Sequence, residues 1–564
     1  MTNRITGFNL CSIFINILTG KTFNVILAAM MNMKSIPAFT GPIRYIIIII
    51  AFISLSCGRD DMYSHFANPV VTKPVTGLTL SPPVTLAREG DVCTFVVQAT
   101  FDDGSVADVS ASAKWSVTGN ITAGTQGSII AGSSGTGEIV ASYGGLTASG
   151  SITIEPSSSV FVSVSTGNDS TGTGSPKNPY KTLSYAYSVA SGSIFMAAGD
   201  YNLSDQLVIK KPVKIYGGYS PSDWSRDINQ NITRITDTSS STGTSSTTAS
   251  PIVLSSAGSP ELNGLYINGR DSGDFTTAVD ILIGTPSIVS CVLYGGAGTD
   301  TVYVLKINNA NTIIDSSVIS SGTSESSYVF GIFCDPSSSN TLNMYNTVLK
   351  VENGNSISTA MKINTGESTE LYVYNCGLIT SANSSSTTSM VLIGNINGNF
   401  CNNTIIVNNT SSVGFSNGIS TSLETTSGFI FANNIVNVSG HKNTFCFFNS
   451  ESFSNVECNS NLFNISDPAK AYFIDVSSSS PLYPWSTSTS FFCLFKAAAG
   501  NIRGNPEFVS NDDFHLTAAS PAKGAGLNGK IKGWVYFPQS SSGPVDLDSF
   551  GRSATEAWSI GAYE

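Results

Sequence analysis

A short phrase that keeps returning between Leu265 and Phe463 constrains this chain more than any other feature. It reads Asp315-Ser-Ser-Val-Ile319, Tyr345-Asn-Thr-Val-Leu349, Asn375-Cys-Gly-Leu-Ile379, Asn402-Asn-Thr-Ile-Ile406, Ala432-Asn-Asn-Ile-Val436 and Asn459-Ser-Asn-Leu-Phe463. Counted from the first aliphatic of each copy (Val318, Val348, Leu378, Ile405, Ile435, Leu462), successive copies lie 30, 30, 27, 30 and 27 residues apart. Weaker copies at Leu265 and Val292 extend the series backwards in steps of 27 and 26. A fixed period in this range is the mark of a solenoid, in which no repeat buries its apolar face alone and each closes its core on the next.

Residue types then select the kind of solenoid. The repeats are short runs of Val, Ile, Thr, Phe and Tyr broken by Gly, Asn and Ser, with no sustained helical spacing of apolar positions, which favours strands. Leu342-Asn-Met-Tyr345, Val348-Leu-Lys-Val351 and Ala360-Met-Lys-Ile363 fall within one period and read as separate strands. The expected architecture is an all-β parallel helix, with Asn side chains stacking between coils at equivalent turns. At roughly 4.8 Å per coil, about nine coils would make a rod on the order of 45 Å long.

The 564 residues leave room for two or three domains. Charged residues make up 12% of the chain, about half the usual share, which suits a secreted all-β protein. The formal net charge of −11 argues against nucleic acid, and against an acidic polymer, held by general electrostatics. Of ten cysteines, Cys11 and Cys57 lie at or before a processing signal. The others (Cys93, Cys291, Cys334, Cys376, Cys401, Cys446, Cys458, Cys493) show neither CxxC nor metal-ligand spacing and are expected to be small buried hydrophobes. Cys401 and Cys458 each stand four residues before an aliphatic anchor, which places them in one register two coils apart, too far for a disulfide.

Lys34 and Arg44 precede ten apolar or small residues, Ile46 to Leu55, followed by Ser56-Cys57-Gly58. The run is too short to span a membrane and fits the core of a signal peptide. The small residue before a Cys resembles a bacterial lipoprotein box, with Leu55 and Ser54 reversed from the usual order. The resemblance implies that residues 1–56 are a signal region and that Cys57 is lipidated and begins the mature chain. Met33, directly before Lys34, offers a second translation start. Residues 57–73 would then be a polar lipidated tether.

Between residues 74 and 155, Val75-Thr-Gly-Leu-Thr-Leu-Ser-Pro82, Phe95 to Ser105 with its Asp103-Gly-Ser turn, Trp115, and Ala141-Ser-Tyr-Gly-Gly145 read as short alternating strands. Their order resembles the group 2 bacterial immunoglobulin-like domain, which implies a β-sandwich with Trp115 in its core and a hairpin at Asp103-Gly-Ser, acting as a spacer or adhesive module. A Ser-rich linker covers residues 156–159, and residues 160–564 hold the helix with its N-terminal cap and closing segment. Phe161 to Asp169, Pro179-Tyr-Lys-Thr-Leu183, Ala198-Gly-Asp-Tyr201 and Val213 to Tyr219, with Trp224 and Arg226, resemble the opening of pectate-lyase-like β-helix proteins. That family's helices are right-handed, and the same hand is expected here. Thr182 to Val189 should be a short amphipathic helix, with Leu183, Ala186, Tyr187 and Ala190 closing the open end of the core. Ser239 to Thr248 is a low-complexity loop. Asn505-Pro-Glu-Phe-Val509, Ser520-Pro-Ala522, Asp546-Leu547, Gly551-Arg552 and Ile560-Gly-Ala-Tyr-Glu564 resemble the ending of bacterial cell-surface β-helix proteins. There such phrases belong to the final coils and cap, so the rod is expected to be complete, with its anchor at the other end.

Many parallel β-helices act on polysaccharides. A uronate lyase needs a basic residue as proton acceptor and a positive charge against the carboxylate, and a hydrolase needs paired carboxylates. Residues equivalent in adjacent coils sit about 5 Å apart, so a site should appear as charges aligned across copies, and none does. Between Leu262 and Phe463 the basic residues are Arg270, Lys306, Lys350, Lys362 and Lys442. The best catalytic candidate is Arg270 with Asp271 and Asp274. Glu367 and Glu370 share one turn, and Asp280 adds to the loop cluster. Of the histidines, His65 lies in the tether, His441 in a Gly-His-Lys turn, and His515 in the closing motif as a structural residue. No catalytic residue, metal site or cofactor is assigned.

The sequence therefore points first to a non-enzymatic, lipid-anchored envelope protein, most simply on the outer membrane and surface-exposed, displaying a β-helix that binds glycan or a host extracellular protein. The alternatives are a polysaccharide lyase or glycoside hydrolase of the pectate-lyase-like superfamily, and a purely structural envelope component. Substituting Cys57→Ala should abolish palmitate labelling and release the protein from the membrane fraction; retention in that fraction would refute the anchor.

Overall fold

The coils close at their corners, where two residues turn the chain from one sheet to the next. In the computed structural model these turns hold Gly264, Ser290, Ser316, Asn346, Asn375, Asn402, Asn433, Ser460 and Gly500 in one column, all at φ between +46 and +69°. Only Gly enters that region freely, and Asn follows it because its short amide bonds locally. The recurring Asn of the sequence phrase thus suits the left-handed conformation of the corner, which Ser290, Ser316 and Ser460 also adopt. The structure describes residues 73–82, 84–239, 249–271, 273–323, 326–352, 354–412, 414–424, 428–440, 444–449, 455–466, 471–474, 483–484, 495–510, 513–527, 547 and 559–563. Cys57, His65, His441, Cys493, the Ser239 to Thr248 tract beyond its first residue, and the Asp546 and Gly551-Arg552 phrases lie outside them.

Three sheets of 12, 11 and 11 strands form the walls of a parallel β-helix. The first sheet begins at Val160–Val162, the second at Gly199–Leu203 and the third at Leu207–Ile209. Neighbouring strands pair in parallel throughout, apart from the last pair of the third sheet, Ala471–Ile474 with Tyr483–Pro484. There are more coils than the sequence period indicates, because the rungs before Leu265 turn their corners with other residues. Down the second sheet, Ile267, Leu293, Ile319, Leu349, Leu378, Ile405, Val436 and Phe463 are cross-strand partners in one inward column. All eight are fully buried.

That register corrects the sequence alignment by one residue in places. Val318 and Val348 are followed in their column by Gly377 and Thr404, so Leu378 and Ile405 belong to the next column inward. For the same reason Cys401 and Cys458 do not share a register. Cys401 pairs with Ala432, whereas Cys458 pairs with Phe431. Six of the seven described cysteines are buried free thiols and Cys93 is half-buried. Burial pushes Cys291 and Cys334 up to about 12.

Beside the left-handed corner residue stands a second column, Asn403, Asn434, Asn461 and Asn501. Asn403 donates from its backbone N–H and its Nδ2 to Asn434 Oδ1, at 2.9 and 3.0 Å. Asn434 repeats this to Asn461 Oδ1 at 2.9 and 3.1 Å, and Asn461 to Asn501 Oδ1 at 3.0 and 2.9 Å. Each Nδ2 also reaches a carbonyl at the end of the preceding first-sheet strand, as Asn434 does to Phe400 O at 2.8 Å. Earlier coils use hydroxyls: Cys291 N donates to Ser317 Oγ at 3.1 Å and Ser317 N to Thr347 Oγ1 at 3.3 Å.

The expected capping helix is present at Leu183–Val189. Thr182 is its N-cap, with Oγ1 accepting from Tyr185 N at 3.3 Å, and Leu183 and Ala186 are buried against Val160 and Val162. The described closing segment adds no coil beyond Ile502–Arg503. It forms a small hairpin through Phe508 and Leu516 and returns along the outer face of the second sheet. Gly561 N donates to Asn433 O at 2.7 Å, Ala562 N to Thr404 Oγ1 at 3.0 Å, and Leu527 N to Asn433 Oδ1 at 2.8 Å. Leu516, Ala522 and Ile560 bury the outward faces of Ile435 and Leu462.

Ahead of the helix, residues 75–155 form three small sheets around one core containing Leu80, Phe95, Val97, Ile129, Ile139 and Ile152. Strand pairing is antiparallel except where Val84–Arg88 runs parallel to Leu146–Glu155. The hairpin at Asp103-Gly-Ser is present, with Gly104 at φ +79° and Phe101 N donating to Ser105 O at 2.9 Å. Trp115 lies half-buried against the core, and its Nε1 donates to Ser110 O at 2.9 Å.

Asn434→Ala should cost about 3 kcal/mol, because it strands a buried N–H and a buried carbonyl. Asn437→Ala, on the outer face of the next strand, should cost less than about 1 kcal/mol. Denaturant unfolding of the two variants checks this, and equal losses would remove the ladder from the account of stability.

Candidate ligand-binding face

The third sheet has the longest strands, among them Thr301–Ala310, Tyr328–Cys334, Ile357–Asn364, Ser386–Gly394 and Phe415–Leu423. Their pairing steps over one residue at the same place in every coil: Val304, Gly331, Ala360, Ser389 and Gly418 have no cross-strand partner. A skipped residue breaks the two-residue alternation of a strand. Outward positions therefore fall three apart, at Tyr303 and Lys306, Phe330 and Phe333, Thr359 and Lys362, Thr388 and Val391, and Asn417 and Ser420.

These outward positions build an aromatic platform that continues into a groove. Tyr303 stacks on Phe330 with centroids 5.5 Å apart, and Phe333 packs against both, at 4.9 and 5.4 Å. Lys306 Nζ lies 5.7 Å from the Tyr303 centroid, and Lys362 Nζ lies 5.6 and 5.5 Å from Phe330 and Phe333. Burial raises the Tyr303 hydroxyl above its ordinary range, and the charges of Asp300 and Asp335 add to this. Asp280 stands beside Lys306 in its column and accepts from Asn308 Nδ2 at 3.2 Å.

The groove has a volume of about 370 Å³ and is lined by Phe330, Lys362, Thr388, Val391, Phe415 and Asn417 among others. Phe415 is exposed at its rim. On its floor Asn417, only 8% exposed, donates from Nδ2 to Thr388 Oγ1 at 3.2 Å, while its Oδ1 has no hydrogen-bond partner among the described residues. Lys362 is the one ionisable side chain in the lining.

The residues singled out for chemistry by sequence are dispersed. Arg270 and Asp271 border a separate polar cleft of about 380 Å³ with Asp237, Asn268 and Tyr294. Asp274 is not part of it: its Oδ1 accepts from Thr299 Oγ1 at 2.9 Å and its carbonyl from Thr301 N at 2.8 Å, holding a turn. Glu370 accepts from the Tyr372 hydroxyl at 3.0 Å, and the backbone of Glu367 is tied to Thr365 Oγ1. Lys350 pairs with Glu352 at 3.1 Å. His515 Nδ1 meets Asp513 Oδ1 at 2.5 Å, and this contact holds the Asp513 carboxyl below its usual range. Among the described residues no three His, Cys, Asp or Glu side chains are placed to hold a metal ion.

Sequence reasoning missed the groove because it sought aligned charges. The signal was there as aromatic and lysine residues three apart, Tyr303 with Lys306 and Phe330 with Phe333, repeated at the coil period. No family model matches the chain, and no curated protein does. Among solved structures the chain is similar to one described as the crystal structure of pectate lyase Pel9A, at 14% sequence identity and a TM-score of 0.41, covering 72% of this chain and 96% of that one.

Proposed function

We propose that the protein is a lipid-anchored envelope protein that binds glycan, without cleaving it, along the outer face of the third sheet. One observation carries this reading: an aromatic platform runs into an open groove lined by Phe330, Phe415, Lys362 and the polar side chains of Thr388 and Ser420. The apolar face of a pyranose ring suits a stacked Tyr303, Phe330 and Phe333 surface, much as amphipathic rings pair at other interfaces. Sugar hydroxyls suit the polar lining at Thr388 and Ser420. Lys362 favours a glycan bearing carboxylate or sulfate groups over a neutral one, whereas Lys306 has Asp280 as its cross-strand neighbour.

The lining argues for binding over turnover. Hydrolysis by two carboxylates has no carboxylate to draw on in this lining, and a single ammonium beside aromatic rings supplies one role of the two that uronate elimination requires. Acylated Cys57 would hold the chain at the outer membrane, and the layered strands of residues 75–155, with one edge strand parallel to the last, support an immunoglobulin-like spacer.

The test is to incubate the chain lacking residues 1–57 with neutral and uronate-containing polysaccharides, with and without Ca²⁺, recording retention and chain shortening. Retention without shortening is expected, strongest for anionic glycans. Phe333→Ala and Lys362→Ala should each weaken it about tenfold, the effect of losing one contact worth roughly 1.4 kcal/mol. Shortening that disappears in Arg270→Ala would overturn the reading and place a catalytic site at the Arg270 cleft. Absence of retention would move the assignment to a protein ligand or a structural role.

A further inference from the structure

We infer that the sandwich of residues 75–155 is the outer N-terminal cap of the β-helix, locked to it in one orientation through a connection that does not hinge. The first three rungs carry an outward column of aromatic rings, Phe161, Phe195 and Tyr216, in register. Phe161 and Phe195 stack at 5.1 Å and Phe195 and Tyr216 at 5.5 Å. Outward residues of a solenoid ordinarily meet water, yet Phe161 is 0% and Phe195 3% exposed.

Two elements cover them. Trp224 stands edge-on to Phe161 at 4.9 Å, with its Nε1 donating to Pro176 O at 3.0 Å. Leu86, from the sandwich strand Val84–Arg88, joins the same apolar cluster and is buried there. The sandwich thus supplies a core residue to the helix.

A polar seam surrounds that contact. Arg88 donates from one guanidinium nitrogen to Thr173 O and Gly174 O, both at 3.3 Å. Gly174 O also accepts from Phe161 N at 3.0 Å, so the same carbonyl ties the sandwich to the first rung. The Glu89 carboxylate accepts from Ser134 N within the sandwich at 2.8 Å and from Ser157 N at 3.2 Å. On the helix side Gly192 N donates to Ser158 O at 3.1 Å and Val160 N to Ser193 O at 2.9 Å, and Ser159 is 1% exposed. The Ser-rich stretch 156–159, which composition marks as a linker, is bonded from both sides.

The fixed joint makes the sandwich a rigid arm for the rod, and it makes the first rungs depend on the sandwich for their cover. Hydrogen exchange on the full chain tests both. In the unsubstituted protein, amides of 156–162 should exchange as slowly as those of the first-sheet strands. Leu86→Ser and Arg88→Ala should each speed exchange in 156–162 and 173–180 by about tenfold or more. Coils 340–440 and the sandwich strand Gly135–Tyr143 should be unchanged. Fast exchange of 156–162 in the unsubstituted chain, or unaltered rates in both variants, would overturn the inference. Should Leu86→Ser also loosen Gly135–Tyr143, Arg88→Ala decides alone, since its side chain lies outside the sandwich core; limited proteolysis between Glu155 and Val160 should follow the same order of susceptibility.

Discussion

Everything in the rod rests on how the corner between the first and second sheets disposes of its backbone groups. A parallel coil that turns in two residues leaves an amide and a carbonyl pointing into an apolar interior, and leaving either unpaired costs more than most single contacts return. Asn403, Asn434, Asn461 and Asn501 answer both with one side chain, whose oxygen takes the amide of the preceding coil and whose nitrogen takes the carbonyl at that strand's end. The chain pairs a residue that tolerates left-handed φ with a residue that can serve as donor and acceptor together. Asn satisfies either demand, which is why Asn-Asn recurs there.

This double use explains how much of the fold was legible. The phrase around Asn402 and Asn433 announces a solenoid because the corner chemistry admits few residues. Strand register was less legible, since Gly377 and Thr404 occupy outward places where other coils carry Val318 and Val348, and the outward place imposes no single residue type. Leu378 and Ile405 therefore looked like the anchors of their coils and were one step off. The skipped residues of the third sheet were hidden for a related reason: Val304, Ala360 and Ser389 are ordinary strand residues, and only their lack of a partner sets them apart.

Among the described residues, cover is supplied toward both ends of the rod by different means. A solenoid terminates in an open apolar core and in exposed strand edges, both of which invite association. At the start, Leu183 and Ala186 plug the core while Leu86 and Trp224 cover the outward rings. Toward the other end, Leu516, Ala522 and Ile560 cover Ile435 and Leu462 from outside, and Asn433 accepts from and donates to Leu527. Polypeptide that looks like appendage in sequence is cover for the coils. Closing phrases such as Gly561-Ala-Tyr563 carry little hydrophobic pattern of their own because their partners lie in coils more than a hundred residues earlier, as with Ala562 and Thr404.

The candidate face also shows why net charge is a poor guide to the ligand of a long molecule. The formal charge of −11 is spread over 564 residues, and in physiological salt a charge is screened beyond about 8 Å. A glycan in the groove would therefore meet Lys362 and the aromatic rings beneath it more strongly than the distant acids. Those rings also hold the lysine over their faces, at 5.6 Å from Phe330 and 5.5 Å from Phe333, so the ammonium is already placed and little side-chain freedom is lost when a ligand arrives. Acidity of the whole chain then bears on solubility and on exclusion of nucleic acid, while on the proposed reading selection among glycans would fall to the few side chains that the skipped residues turn outward.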